Sequence, residues 1–205
     1  TVQTRRYSVE TNFQGSYQTP DKARKLFIQD NIAYVVDGDR LNIINVSNSS
    51  SPSLMGSYET PSFARDVFVQ DYIAYVADMF TKTLLLIDVA NPYSPSLMSS
   101  FSIPSFTYKV FVQGNVAYVV DLRFLLVIDV SNPYYPSLMS SCETPGDDVR
   151  GVFTQDSTTY VTDSLGLHIF DVSNLYSPSL ISSCNTPGDA FDVVVQDSIA
   201  YVTDL

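Results

Sequence analysis

The same order of apolar and polar positions runs through the 205-residue chain five times. Its clearest copy opens with Ala64-Arg65-Asp66-Val67-Phe68-Val69-Gln70, a β-branched and aromatic run that stops at Asp71-Tyr72. Ile73-Ala74-Tyr75-Val76-Ala77 follows, then a loop from Asp78 to Thr83, then Leu84-Leu85-Leu86-Ile87-Asp88-Val89. The turn after it carries Pro92 and Pro95, which exclude helix and interrupt any ladder. Ser96-Leu97-Met98-Ser99-Ser100-Phe101 completes the copy before Pro104. The first two runs are joined by two residues only, which predicts a hairpin, although Tyr72 is a poorer turn residue than Asn or Gly. Each copy therefore predicts four strands and no segment of helical period. The near-continuous apolar runs predict sheets covered on both faces.

The tyrosines that mark the second run, Tyr34, Tyr75, Tyr118, Tyr160 and Tyr201, are 41, 43, 42 and 41 residues apart. A period of this length decides the architecture before any local detail does. Complete units fall at about 23–58, 64–101, 107–142 and 149–184, and residues 190–205 supply half of another. At the other end, Phe13-Gln14-Gly15-Ser16-Tyr17 matches a fourth strand, and Arg5-Arg6-Tyr7-Ser8-Val9 is assigned as a third. The expectation is an all-β single domain over 1–205, a five-bladed β-propeller of about 42-residue four-stranded blades. Its last blade, 190–205 plus 1–17, is closed by strands from both termini, so that no half-sheet keeps an unpaired edge. A parallel β-helix is the alternative; its coils are usually shorter, and it would want capping units.

Charge narrows the partners. With 22 acidic against 11 basic residues the net charge is −11, which repels phosphate backbones and anionic membranes, so nucleic acid is not expected as a partner. No apolar run approaches the roughly 18 residues of a membrane span, so no membrane insertion is expected. The chain starts at Thr1 without a charged and then apolar leader, so any secretion signal is expected to be cleaved or to lie outside this sequence. A surface rich in Ser, Thr, Tyr and Asn, a shortage of Lys, and two sequons at Asn45-Val46-Ser47 and Asn48-Ser49-Ser50 point to an extracellular or cell-surface glycoprotein. Cys142 and Cys184 share a repeat position with Tyr17, Tyr58 and Phe101. Equivalent positions on neighbouring units should lie beyond the ~7 Å limit for a disulfide, so buried free thiols are expected.

Leu84-Leu85-Leu86-Ile87-Asp88-Val89, Leu125-Leu126-Val127-Ile128-Asp129-Val130-Ser131-Asn132-Pro133 and Leu167-His168-Ile169-Phe170-Asp171-Val172-Ser173-Asn174 resemble the LVIVD repeat. The resemblance covers about Phe13 to Leu205. It implies a β-propeller, occurs mostly in bacterial and archaeal surface or secreted proteins, and carries no agreed catalytic motif. Two departures stand out: Asn45 replaces the strand Asp, creating a sequon, and the first 12 residues fit the repeat poorly.

Few residues offer chemistry. Asp37, Asp78, Asp121, Asp163 and Asp204 recur after one strand, and Asp88, Asp129 and Asp171 recur within another. A group repeated in every unit suits turns better than a single active site, so each is expected to accept backbone hydrogen bonds in its own turn. Gln29, Gln70, Gln113, Gln155 and Gln196 are read the same way. His168 is the only histidine and is expected on a strand face. No Gly-rich phosphate loop, Cys cluster or EF-hand spacing is present, so no cofactor, metal site or catalytic residue is assigned. More telling are positions where the units disagree inside a constant frame. Arg24, Arg65, Tyr108, Arg150 and Phe191 begin the innermost strands, beside Lys25, Asp66, Lys109, Gly151 and Asp192, after loop residues Lys22, Phe63, Phe106, Asp148 and Asp189. They are expected at one mouth of the central channel, where arginine with aromatics suits a carboxylate or a sugar ring; a solvated rim is the plainer reading.

These features lead to a non-enzymatic structural or interaction module, self-assembling through a protein partner such as another copy that pairs with the N-terminal arm (Thr1 to Asn12). A lectin-like glycan binder using the mouth and the 14 tyrosines is the alternative. A glycosidase is a third, resting on fold analogy; it would need two carboxylates about 5 to 9.5 Å apart, drawn from Asp66, Asp148, Asp189 and Asp192.

Overall fold

The computed structural model describes residues 13–205, and all its regular structure is β. Strands β1 (Ala23–Gln29), β2 (Ile32–Asp37), β3 (Arg40–Asn45) and β4 (Ser53–Glu59) form the first antiparallel sheet in simple meander order. The second holds β5 (Ala64–Gln70), β6 (Ile73–Asp78), β7 (Thr83–Asp88) and β8 (Ser96–Ser102). β9 (Lys109–Gln113), β10 (Val116–Val120), β11 (Phe124–Asp129) and β12 (Ser137–Glu143) make the third. The fourth is built from β13 (Gly151–Gln155), β14 (Thr158–Asp163), β15 (Gly166–Asp171) and β16 (Ser179–Asn185). β17 (Ala190–Gln196) and β18 (Ile199–Asp204) pair as a two-stranded sheet. The repeated runs thus give repeated meanders, as their spacing predicts.

The two-residue loops explain why the first pair of strands turns so tightly. Asp30 and Asn31 have φ of 51° and 62°, Asp71 and Tyr72 52° and 63°, and Asp197 and Ser198 50° and 65°. Two successive left-handed residues match the twist of the flanking strands. A bulge in the fourth strand recurs too, at Met55, Met98, Met139 and Ile181, opposite a continuous third strand.

Neighbouring sheets pack face to face. Tyr34, Val36, Leu41 and Ile43 of the first meet Val67, Val69, Leu85 and Ile87 of the second in one buried cluster. The same interlock joins the second to the third, the third to the fourth, and the fourth to β17–β18. Burial on both faces is what makes β2, β6 and β7 almost wholly apolar. The innermost strands β1, β5, β9, β13 and β17 share one channel, and the molecule is a propeller-type repeat protein.

The two ends depart from this regularity. Residues 13–19 occupy the place of a fourth strand against the first sheet, but they pair in no ladder among the described residues. Gly15 shows the equivalence: a Cβ there would lie 2.4 Å from the Ser49 carbonyl oxygen, as one on Gly56 would lie 2.5 Å from that of Pro92. The third strand assigned to Arg5–Val9 lies outside the described residues; among those described, the last sheet comprises β17 and β18. Among the described residues, the face between that pair of strands and the first sheet is open. Leu26 and Ile28 are 54% and 59% exposed, whereas their equivalents Val67 and Val69 are 2% and 3% exposed. Across the gap Tyr201 is 56% exposed against 3% for Tyr75.

The cysteines depart from the burial expected of them. Both are free, but Cys142 is only half-buried and Cys184 is exposed. Cys142 lies under the next unit's turn, its thiol donating to the Pro178 carbonyl at 3.3 Å, and burial pushes its pKa up. No such turn covers β16 among the described residues, which leaves Cys184 and Ile181 in solvent.

Candidate functional site

The five variable strand-start residues do converge. Arg24, Arg65, Tyr108, Arg150 and Phe191 line one mouth of the channel together with Lys25, Asp66, Lys109 and Asp192, around a cavity of about 190 Å3. Each inner strand begins at this end, so one residue per unit lands on the rim and the next lands just inside it. Aromatic rings hold the guanidinium groups. Arg24 lies 4.9 Å from the centroid of Phe63, Arg65 5.9 Å from Tyr108, and Arg150 3.9 Å from Phe191. Each ring belongs to the unit after its arginine, so these cation–π contacts also join units. Phe63, Phe80 and Phe106 extend the aromatic rim at centroid distances of 5.8 and 6.0 Å.

Below the rim sits a layer of opposite charges. Asp192 pairs with Lys109 and, at 3.5 Å, with Lys25. Burial alone would push Asp192 up, but Lys109, Lys25 and the Val193 N–H together hold it below the usual carboxylate range. Asp66 is buried, and its carboxylate accepts the Val110 N–H at 2.9 Å. Desolvation wins there and raises its pKa despite Lys109 and Lys25. Lower still, Phe27, Phe68, Phe111 and Phe153 follow one another at 4.8, 5.0 and 4.9 Å and floor the cup with apolar rings.

The two carboxylates oppose each other in acid. Stability contributed by Asp192, whose pKa is lowered, is present above the ordinary carboxylate pKa and is lost as pH falls through the folded value. Asp66, whose pKa is raised, costs stability as pH rises from the ordinary value through its folded one. Asp66→Asn keeps an acceptor for Val110 and removes that cost. Denaturant titrations between pH 3.5 and 7 are expected to show the variant gaining on the parent as pH rises; parallel curves would exclude ionisation of Asp66 as a source of strain.

Elsewhere the repeated polar residues are structural, with two corrections to their partners. Asp37, Asp78, Asp163 and Asp204 accept N–H bonds from Asp21, Ser62, Gly146 and Gly188, so they tie down the loop that leads into their own unit. Asp121 and Asp163 also cap their own turns through Phe124 and Leu165. Asp88, Asp129 and Asp171 accept from Ala90, Ser131 and Ser173, as expected of turn residues. The glutamines reach further than expected: Gln70 donates to the Gly114 carbonyl, and Gln113 both donates to the Asp156 carbonyl and accepts its N–H. They fasten one unit to the hairpin of the next.

His168 holds the arrangement that the sequence conceals. It is buried, with Nε2 2.8 Å from Asp163 and Nδ1 2.8 Å from the Ser183 hydroxyl. An Asp–His–Ser chain has the order of a hydrolytic relay, but the first unit builds the same link with Asn42 donating to Asp37 at 2.7 Å. Where Leu86 and Val127 stand instead, one buried oxygen of Asp78 and one of Asp121 have no partner. His168 and Asn42 therefore serve to satisfy a buried carboxylate. Asn45 accepts the Ser47 N–H at 2.9 Å and is half-buried, while Asn48 accepts that of Ser50 at 3.1 Å on an exposed turn. Among the described residues no group of three His, Cys, Asp or Glu is placed to hold a metal ion.

Several solved structures share the fold. A functionally unknown protein from Desulfotomaculum acetoxidans aligns with a TM-score of 0.78 at 12% identity, over 92% of this chain and 64% of its own. The computationally designed Ika8 protein aligns at 0.73 and 11% identity, over 89% and 55%. A protein from Lactobacillus plantarum aligns at 0.75 and 13% identity, over 89% and 64%. The chain thus spans between about half and two thirds of their lengths. No curated protein matches it. The LVIVD repeat model matches four times, at residues 20–60, 63–102, 107–144 and 148–186, each match holding one four-stranded sheet, and the chain belongs to the LVIVD repeat family.

Proposed function

We propose that the chain is a non-enzymatic, extracellular interaction module: a five-bladed propeller whose last blade is closed by strands from a neighbouring copy, so that copies join head to tail. The observation that carries this reading is the uncovered apolar pair of faces, Leu26 and Ile28 on one side and Tyr201 on the other. At the other inter-unit faces the equivalent side chains are buried, Tyr160 only partly. Among the described residues the outer edge of β18 pairs with no other strand, and it lies beside them with a row of backbone donors and acceptors. Strand addition would satisfy both at once. Asn48, on its exposed turn, is the accessible sequon on this reading.

Size-exclusion chromatography with light scattering tests it. The full chain is expected to form oligomers that grow with concentration, and with salt, because a net charge of −11 keeps copies apart at low ionic strength. Ile28→Asp, at a position already in solvent, and a chain lacking residues 1–12 should both remain monomeric. A full chain that stays monomeric throughout, eluting like both variants, would end the assembly reading.

A further inference from the structure

We infer that the channel mouth is a binding cup for a small di- or tricarboxylate. Five of the chain's eleven lysines and arginines, Arg24, Lys25, Arg65, Lys109 and Arg150, face this one cavity in a protein that is otherwise strongly acidic. The deeper layer is self-neutralised, since Lys25 and Lys109 stand against Asp66 and Asp192. The rim is not. Arg150 pairs with Asp148, but Arg24 and Arg65 have no acidic partner among the described residues. Their guanidinium groups lie over the rings of Phe63 and Tyr108, which restrains them while their N–H edges stay uncommitted among the described residues. A planar fork with both edges free matches a carboxylate in two parallel hydrogen bonds. Two such forks on adjacent units call for more than one carboxylate in the same ligand.

Size and field agree with that class. About 190 Å3 is well below the roughly 300–1,000 Å3 of sites for drug-sized molecules. The phenylalanine floor keeps the ligand at the rim, and it lowers the local dielectric beneath it. A concave positive patch on an acidic surface also focuses the field for an arriving anion. Arg65 and Arg150 lie away from the open face that Arg24 borders, so their share of the cup does not depend on assembly.

Isothermal titration with citrate as probe decides it, with succinate, acetate, sulfate and a neutral disaccharide for comparison. Citrate is expected to bind at least ten times more tightly than acetate, with an affinity that falls as salt rises. Arg65→Gln and Arg24→Gln should each weaken it about ten-fold or more. Arg65→Lys should fall in between, because it keeps the charge and loses the fork. Arg40→Gln, which removes an arginine paired with Glu59 at 2.9 Å, should change nothing. Melting curves without ligand verify that the rim variants fold. Citrate binding no better than acetate, sulfate equal to citrate, preference for the neutral sugar, or an equal loss in Arg40→Gln would each overturn the assignment.

Discussion

Gly151→Val is expected to lower stability by about 3 kcal/mol, the size of an overpacking defect in a close-packed interior. A Cβ at Gly151 would lie 2.2 Å from the Thr162 hydroxyl and 3.0 Å from the Cα of Asp192. The first of these can turn away; the second is backbone of β17 and can yield only if the half-sheet moves. The other units carry Lys25, Asp66, Lys109 and Asp192 at this position, so the glycine is peculiar to the fourth. It is a place where the last half-sheet comes close, with the Cα of Asp192 3.0 Å from a Cβ there. Displacing β17 would also separate Asp192 from Lys109, linking the defect to the mouth. Guanidinium denaturation should show a lower midpoint, with Gly151→Ala between parent and valine. Midpoints that agree within about 0.5 kcal/mol for all three would mean the sheet has room that the geometry denies it.

Phe111→Ala is expected to cost a similar amount, about 3 kcal/mol, at the low end for removing a phenyl ring because Phe111 is only partly buried. It stands in the middle of the ring series, 5.0 Å from Phe68 and 4.9 Å from Phe153, tilted by 55° and 51°. Removing it deletes two aromatic contacts at once and opens the channel floor. The loss should appear as a lower unfolding midpoint together with binding of an apolar dye that the parent excludes. Phe27→Ala, at the end of the series with one ring neighbour, should cost less. Equal losses at the two positions would show that the rings act singly and not as a stack.

Which of these features can be read from the chain follows from how local they are. The meanders and hairpins depend on neighbouring residues, and the left-handed pair at Asp71 and Tyr72 forms even with an unsuitable tyrosine, because the flanking runs dictate the turn. The rim was legible because Arg24, Arg65, Tyr108, Arg150 and Phe191 vary inside a fixed frame. The pairing of His168 with Ser183 depends on the register of β15 against β16, including the bulge at Ile181, which no spacing reveals. Gln70 and Gln113 bond to residues more than forty positions away, and their partners follow from the rotation between sheets. The exposure of Cys184 depends on what covers β16, a property of the neighbour and not of the strand.

The glutamine clasps have a consequence for how such a chain can change its length. Gln70 grips only the main chain of Gly114, and Gln113 only that of Asp156. Because the grip ignores side-chain identity, copying or excising one whole repeat would leave such a clasp available at the new joint. Lineages built this way can gain or drop a repeat without first inventing a new seam.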